Sequence, residues 1–158
     1  MLKYIGLAML FSASVLPALD YGARHKRKMA EYELFIRLAD GIYEEISTYM
    51  RPISDFLSGL SEQLSAVGLS FSPGCDFGAE FQKTADSLLV SAKARSSLAK
   101  FFSVLGSSHR TEELSRVRTL RDTLVSEMES DKLSGQRSVG AVRAVCCAVG
   151  LIFVILLV

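Results

Sequence analysis

The 158-residue chain has no tryptophan, three cysteines, three prolines and two histidines. Each shortage removes a class of chemistry. His25 and His109 stand 84 positions apart, so no His-Glu-x-x-His helix can be built. Cys146 and Cys147 are adjacent and lack companion ligands, and Cys75 is alone, which leaves neither a zinc site nor a disulfide framework. Cys75 as a nucleophile would need one of the two histidines as its base, and an inert loop cysteine is the expectation. No glycine-rich loop ends in Lys-Ser or Lys-Thr, so the phosphate-loop mode of nucleotide binding is excluded. Charge of one sign is also scarce: 18 Lys and Arg against 17 Asp and Glu leave +1, where a nucleic-acid binder carries a strong basic excess. These shortages predict a non-enzymatic chain with no cofactor, no metal and no nucleic-acid partner. At 49% hydrophobic and 22% charged residues the chain is nevertheless too apolar to be disordered.

The apolar residues are unevenly placed. Residues 4 to 19 contain 12 hydrophobics in 16, and residues 139 to 158 contain 17 in 20. All 17 acids and 16 of the 18 basic residues lie between positions 20 and 138. From Val139 to Val158 the only charge is Arg143, and twenty helical residues cover ~30 Å, the thickness of a bilayer's hydrocarbon core. The N-terminal run is shorter, ~24 Å at helical rise. No small-x-small site for signal cleavage follows it. Two transmembrane helices (1–20 and 139–158) around a middle domain (21–138) are therefore expected. Arg24, His25, Lys26, Arg27 and Lys28 follow the first run, and Lys132 and Arg137 precede the second. By the positive-inside rule both sets place the middle in the cytoplasm and the termini outside. Arg24, Lys26, Arg27 and Lys28 form a membrane-proximal basic set suited to anchoring and to anionic lipid. Gly140, Ala144 and Ala148 recur every four residues, a spacing that permits close helix packing in lipid.

The middle has helical periodicity throughout. Tyr32, Phe35, Ile36, Ala39, Ile42, Tyr43, Ile46, Tyr49 and Met50 keep one face apolar over about five turns. Pro52 ends that run, and Ile53, Phe56, Leu57, Leu60, Leu64 and Val67 continue the period on a second helix. Gly68 to Gly78, with Ser72-Pro73-Gly74, reads as a break. Phe77, Phe81, Ala85, Leu88, Leu89 and Ala92 make a third run, and Leu98, Phe101, Phe102 and Leu105 a fourth that stops at Gly106. A long helix with Leu114, Val117, Leu120 or Arg121, Leu124, Val125 and Met128 follows, with Ser134-Gly135-Gln136 as a weak point before the second span. The expectation is an all-α antiparallel bundle. Asp40, Glu44 and Glu45 are spaced as the solvated side of a helix rather than as an acid–base site. Arg110, Arg116, Arg118 and Arg121 are offset by Glu112, Glu113 and Asp122.

The opening Met-Leu-Lys-Tyr-Ile-Gly, the basic stretch, Phe35-Ile-Arg-Leu38, Glu45-Ile46-x-x-Tyr49-x-x-Pro52-Ile53, Phe102-Ser-Val-Leu-Gly106 and the closing Ala148-Val-Gly-Leu-Ile-Phe-Val-Ile-Leu-Leu157 occur in that order. In this the chain resembles the stage III sporulation protein AB family of endospore-forming bacteria. The middle in turn is similar to the helical domain of the type II secretion F protein. Two departures stand out: His109-Arg110 replaces an acidic residue common after the Leu-Gly pair, and the 68–97 section is shortened. The resemblance implies a membrane platform component of the channel between mother cell and forespore, with its bundle on the mother-cell side of the outer forespore membrane. It implies as partners a secretion-type ATPase, stage III sporulation protein AA, and other stage III sporulation membrane proteins, with homo-oligomers also possible. Glu44, Glu45, Arg118 and Arg121 are the expected partner-docking charges. A secreted helical interaction module with a cleaved signal peptide and a C-terminal anchor is the alternative.

Overall fold

In the computed structural model every described element is helical. The structure describes residues 2–49, 53–72, 75–107 and 109–157; side chains at 2–19, 54, 139, 143, 150, 151, 153, 154, 156 and 157 lie outside that description. Helix α1 runs Leu2–Glu44 and closes in a π-turn, Glu45–Tyr49. Two short helices follow, α2 (Ile53–Gly59) and α3 (Ser61–Ser65), then α4 (Phe77–Thr84) with a 3₁₀ turn at Ala85–Ser87. Helix α5 (Ala92–Val104) and the 48-residue α6 (Arg110–Leu157) complete the chain. By compactness the chain divides into two units, Lys28–Glu129 and the pair of terminal segments up to Arg27 and from Ser130.

The bundle unit is organised by the apolar stripe that the period of α1 dictates. Tyr32, Phe35, Leu38, Ala39, Ile42 and Ile46 are all buried, and Val117, Leu120 and Leu124 supply the buried stripe of α6. The α1 stripe also meets a chain of rings. Phe102 of α5 stacks on Phe81 of α4 at 5.0 Å between centroids and touches Phe71 at 5.3 Å and Phe101 at 5.6 Å. Phe81 then meets Phe35 of α1 edge-on at 6.5 Å. One aromatic set thus ties three helices and a connecting loop. At α6, Leu120 rather than Arg121 is the inward residue: it is 5% exposed, whereas Arg121 is exposed.

Several boundaries differ from those the periodicity predicts. The single helix expected from Ile53 to Val67 is interrupted at Leu60, immediately after Gly59, a residue that supports helix poorly. The third run, expected to extend through Leu89 and Ala92, ends as a helix at Thr84. Leu88 is extended (φ −71°, ψ 138°) and Leu89 is 40% exposed. The cause is polar: the hydroxyl of Ser91 accepts from the Ala94 N–H and caps a new helix there, so α5 starts at Ala92, ahead of Leu98, the first residue of the expected apolar run. Gly106 does stop α5, at φ +83°, and its N–H donates to the Glu113 carboxylate at 2.7 Å. Asp76 caps α4, accepting from Gly78 N at 2.9 Å and Ala79 N at 3.2 Å.

In the terminal unit, Ser134-Gly135-Gln136 does not weaken the helix; α6 continues through it. Gly135 is buried because the His25 ring lies against its backbone: a Cβ added there would stand 2.0 Å from His25 Cε1. Among the described residues no helix is long and apolar enough to cross a membrane. The expected spans 4–19 and 139–158 fall in large part on side chains outside the description, as does Arg143, and the Pro52 and Pro73-Gly74 breaks lie outside it entirely.

At Gly78 α4 lies close against α5, since a Cβ there would meet Ser103 Cα at 2.9 Å. Alanine would gain up to ~1 kcal/mol of helix propensity. The clash is with backbone, however, and overpacking of that kind costs about 1–3 kcal/mol. Gly78→Ala should therefore lower the thermal midpoint of the full chain in detergent, and an unchanged or raised midpoint would show that the crossing can relax.

Candidate interaction surface

The residues expected to dock a partner do not form one cluster. Arg118 and Arg121, one turn apart on α6, turn towards α1. Arg121 Nε lies 2.6 Å from Asp40 Oδ1, with its Nη1 3.9 Å from Asp122. Arg118 stacks over the Tyr43 ring at 5.0 Å from the centroid and donates to the Tyr43 hydroxyl. Asp40, Tyr43, Val117, Arg118, Arg121 and Asp122 line a shallow groove of about 350 Å³ in which Arg121 faces two carboxylates and Arg118 faces Tyr43. The Arg121–Asp40 pair is half exposed on both sides, so it contributes ~0.2–1 kcal/mol and orients side chains more than it stabilises. Glu44 is exposed one turn beyond Asp40. Glu45 is half-buried in the π-turn, with Oε2 buried and no hydrogen-bond partner among the described residues. Next to it, Arg110 at the start of α6 donates to the Ser47 carbonyl.

A second groove, which the linear sequence does not reveal, opens between α5 and α6. It has a volume of about 370 Å³ and is lined by Ser97, Lys100, Phe101 and Val104 from α5 and by Ser115, Arg116, Thr119, Leu120 and Thr123 from α6. Its floor is apolar, with Phe101 8% and Leu120 5% exposed. The one sequence signal for it is the Ser115-Thr119-Thr123 stripe at four-residue spacing, which lies beside the buried stripe of the same helix.

At the opposite end of α5 a polar clamp holds residues 88–91. The Glu31 carboxylate accepts from the Leu89 N–H at 2.7 Å, and the Tyr32 hydroxyl accepts from the Ser91 N–H at 2.9 Å. Ser91 Oγ and Lys93 Nζ both reach Glu127, at 2.8 and 3.0 Å, and Arg95 donates to the Leu88 carbonyl at 2.8 Å. Burial raises the Glu31 pKa above the usual 4.5, against the opposing pull of the Leu89 and Val90 N–H groups and the Arg95 and Lys28 charges.

The membrane-proximal basic residues Arg24, Lys26 and Arg27 are exposed, Lys28 is half-buried, and Arg24 pairs with Asp20 at 3.0 Å. Gly140, Ala144 and Ala148 are exposed, and a Cβ at Gly140 would meet nothing within 4 Å. Also exposed on α6 are Leu133, Val145, Val149, Ile152 and Ile155, between 39% and 74%. Cys75 is half-buried against the core, and Cys146 and Cys147 are free thiols. Among the described residues no group of three His, Cys, Asp or Glu could hold a metal ion.

The Glu31 clamp has a pH signature. A carboxyl whose folded pKa is raised binds its proton more tightly in the folded state, so its stabilising contribution is complete below pH 4.5 and is lost as pH rises through the folded value. Glu31→Gln keeps an acceptor for the Leu89 N–H and removes the titration. The thermal midpoint of the variant should gain on that of the unaltered chain as pH rises from 4.5 to neutrality. A constant difference across that range would contradict the assignment.

A family model described as stage III sporulation protein AB matches residues 3–158. No curated protein and no solved structure matches the chain. With a match over nearly its whole length, the chain belongs to the stage III sporulation protein AB family.

Proposed function

We propose that this sporulation-family chain is a membrane-anchored platform: two terminal spans hold a cytoplasmic helical bundle, and the bundle docks the secretion-type ATPase of the sporulation channel, stage III sporulation protein AA. Family membership supplies the sporulation setting. The anchoring is supported by two apolar ends that contain no acid, flanked on the bundle side by Arg24, Lys26, Arg27, Lys132 and Arg137.

The observation that carries the reading is on α6. Val145, Ile152 and Ile155 are 61%, 56% and 74% exposed on a continuous helix. Large aliphatic side chains exposed in series are a poor fit to water, because burying each is worth about 1.5–3 kcal/mol. A bilayer removes that cost along the whole stretch. The Gly140, Ala144 and Ala148 positions would then be open to another helix in lipid, either from a second copy or from another stage III sporulation membrane protein.

In the bundle, Asp76 and Ser91 cap helices, Glu113 holds Gly106, and Arg121 pairs with Asp40. Removing the gene from its host should stop spore development after engulfment while vegetative growth continues. Normal spore yields would refute the platform reading.

A further inference from the structure

The charges of the chain are divided unevenly between its two units. The bundle, Lys28–Glu129, contains 11 Lys and Arg against 15 Asp and Glu, which leaves −4. The terminal unit contains seven Lys and Arg against two acids, Asp20 and Asp131, which leaves +5. The near-neutral total of +1 is the difference of two opposite charges.

Most of the basic surplus is brought to one level. Helices α1 and α6 are antiparallel: in the bundle Tyr43 meets Arg118 and Asp40 meets Arg121, and in the terminal unit the His25 ring lies against the Gly135 backbone. With residue 25 beside residue 135, Lys26 and Arg27 stand level with 134 and 133, Lys132 with 28, and Arg137 with 23. Two segments from opposite ends of the chain thus share one band, five residues or ~8 Å tall. Arg24 is engaged by Asp20 at 3.0 Å, and Lys28 is half-buried with its charge acting on Glu31. Lys26, Arg27, Lys132 and Arg137 are exposed, and among the described residues none has a side-chain ion pair or hydrogen bond.

Position selects the occupant. The apolar run of α1 ends at Leu19 and that of α6 begins at Val139, two residues beyond Arg137. Exposed Tyr21 stands at the same boundary, where tyrosine is favoured between lipid and water. The band's ~8 Å matches the headgroup layer, since a bilayer of ~40–45 Å has a hydrocarbon core of ~30 Å. At ~100° per residue, adjacent Lys26 and Arg27 lie on different faces of α1, and Lys132 and Arg137 on different faces of α6. Cations spread around a helix pair suit many separate phosphates and do not converge on a single acidic peptide.

We propose that Lys26, Arg27, Lys132 and Arg137 form a collar that selects anionic phospholipids, each cation taking a headgroup phosphate. This rests on the platform reading and adds to it the lipid that surrounds the anchor. A zwitterionic headgroup offers the same phosphate with its own ammonium beside it, so net charge decides the choice. A cation near an anionic surface is worth about fivefold in affinity.

The test uses the full chain in bilayers of equimolar phosphatidylglycerol and phosphatidylcholine, with one or the other brominated. Tyr21→Trp reports the lipids at the collar, and Ile152→Trp reports insertion. Phosphatidylglycerol should be preferred at position 21 by at least about fivefold. About 1 M salt should abolish the preference, because the screening length falls to ~3 Å. Changing Lys26, Arg27, Lys132 and Arg137 together to Gln should abolish it too, with quenching at position 152 unchanged. The pairs Lys26→Gln/Arg27→Gln and Lys132→Gln/Arg137→Gln should each remove part of it. Equal quenching by the two lipids at position 21, a preference that survives all four substitutions, or a loss confined to one pair would overturn the collar and leave the platform reading standing. No quenching at position 152 in the otherwise unaltered chain would overturn the platform reading itself.

Discussion

The fold of the bundle depends on one ring. Phe102 is 2% exposed and contacts Phe71, Phe81 and Phe101, while Phe81 passes the contact on to Phe35. Short helices such as α2 and α3 gain little from their own hydrogen bonds, since helices below about 12–15 residues are marginal alone. They persist because Leu57 and Leu64 reach the same core. The close crossing at Gly78 and the cap at Asp76 are consequences: α4 has to lie near enough to α5 for Phe81 to stack on Phe102.

Around this core the polar groups divide by task. Those at the ends of α5 are structural. Glu113 holds Gly106, and Glu31 and Tyr32 hold the extended segment that delivers Ser91 as a cap. Those between α1 and α6 satisfy one another. The α5–α6 seam places the short side chains of Ser115, Thr119 and Thr123 beside the buried Phe101 and Leu120, with Arg116 paired to Glu112 at its edge.

The sequence exposes most of the fold because most of it is periodic. Tyr32 to Ile46 and Val117 to Leu124 follow a 3.6-residue repeat, and Tyr32, Phe35, Ala39, Ile42, Ile46, Val117, Leu120 and Leu124 are buried as expected, whereas Ile36 and Tyr43 are half-buried and Tyr49, expected on the same face, is 53% exposed. What it conceals are events that depend on residues far apart in the chain. The helix ends before Leu88 and Leu89, where Ser91 caps the next helix and Glu31, 58 residues away, takes the Leu89 N–H. Gly135 stays helical with the His25 ring against it, 110 positions distant in sequence. Arg118 and Arg121, expected from the sequence as partner-docking charges, are engaged with α1 in space. The α5–α6 groove needs two helices before it exists, and only its hydroxyl stripe is visible in one of them.

The central claim is that the two ends of the chain lie in a bilayer and the bundle lies outside it. The absence of tryptophan makes this directly measurable. Single tryptophans at Ile152→Trp on α6 and Leu89→Trp on the bundle can each be reconstituted in bilayers whose lipids are brominated deep in their acyl chains. Strong quenching at position 152 with none at position 89 is the predicted result. Equal fluorescence at the two sites, or quenching at neither, would contradict the account.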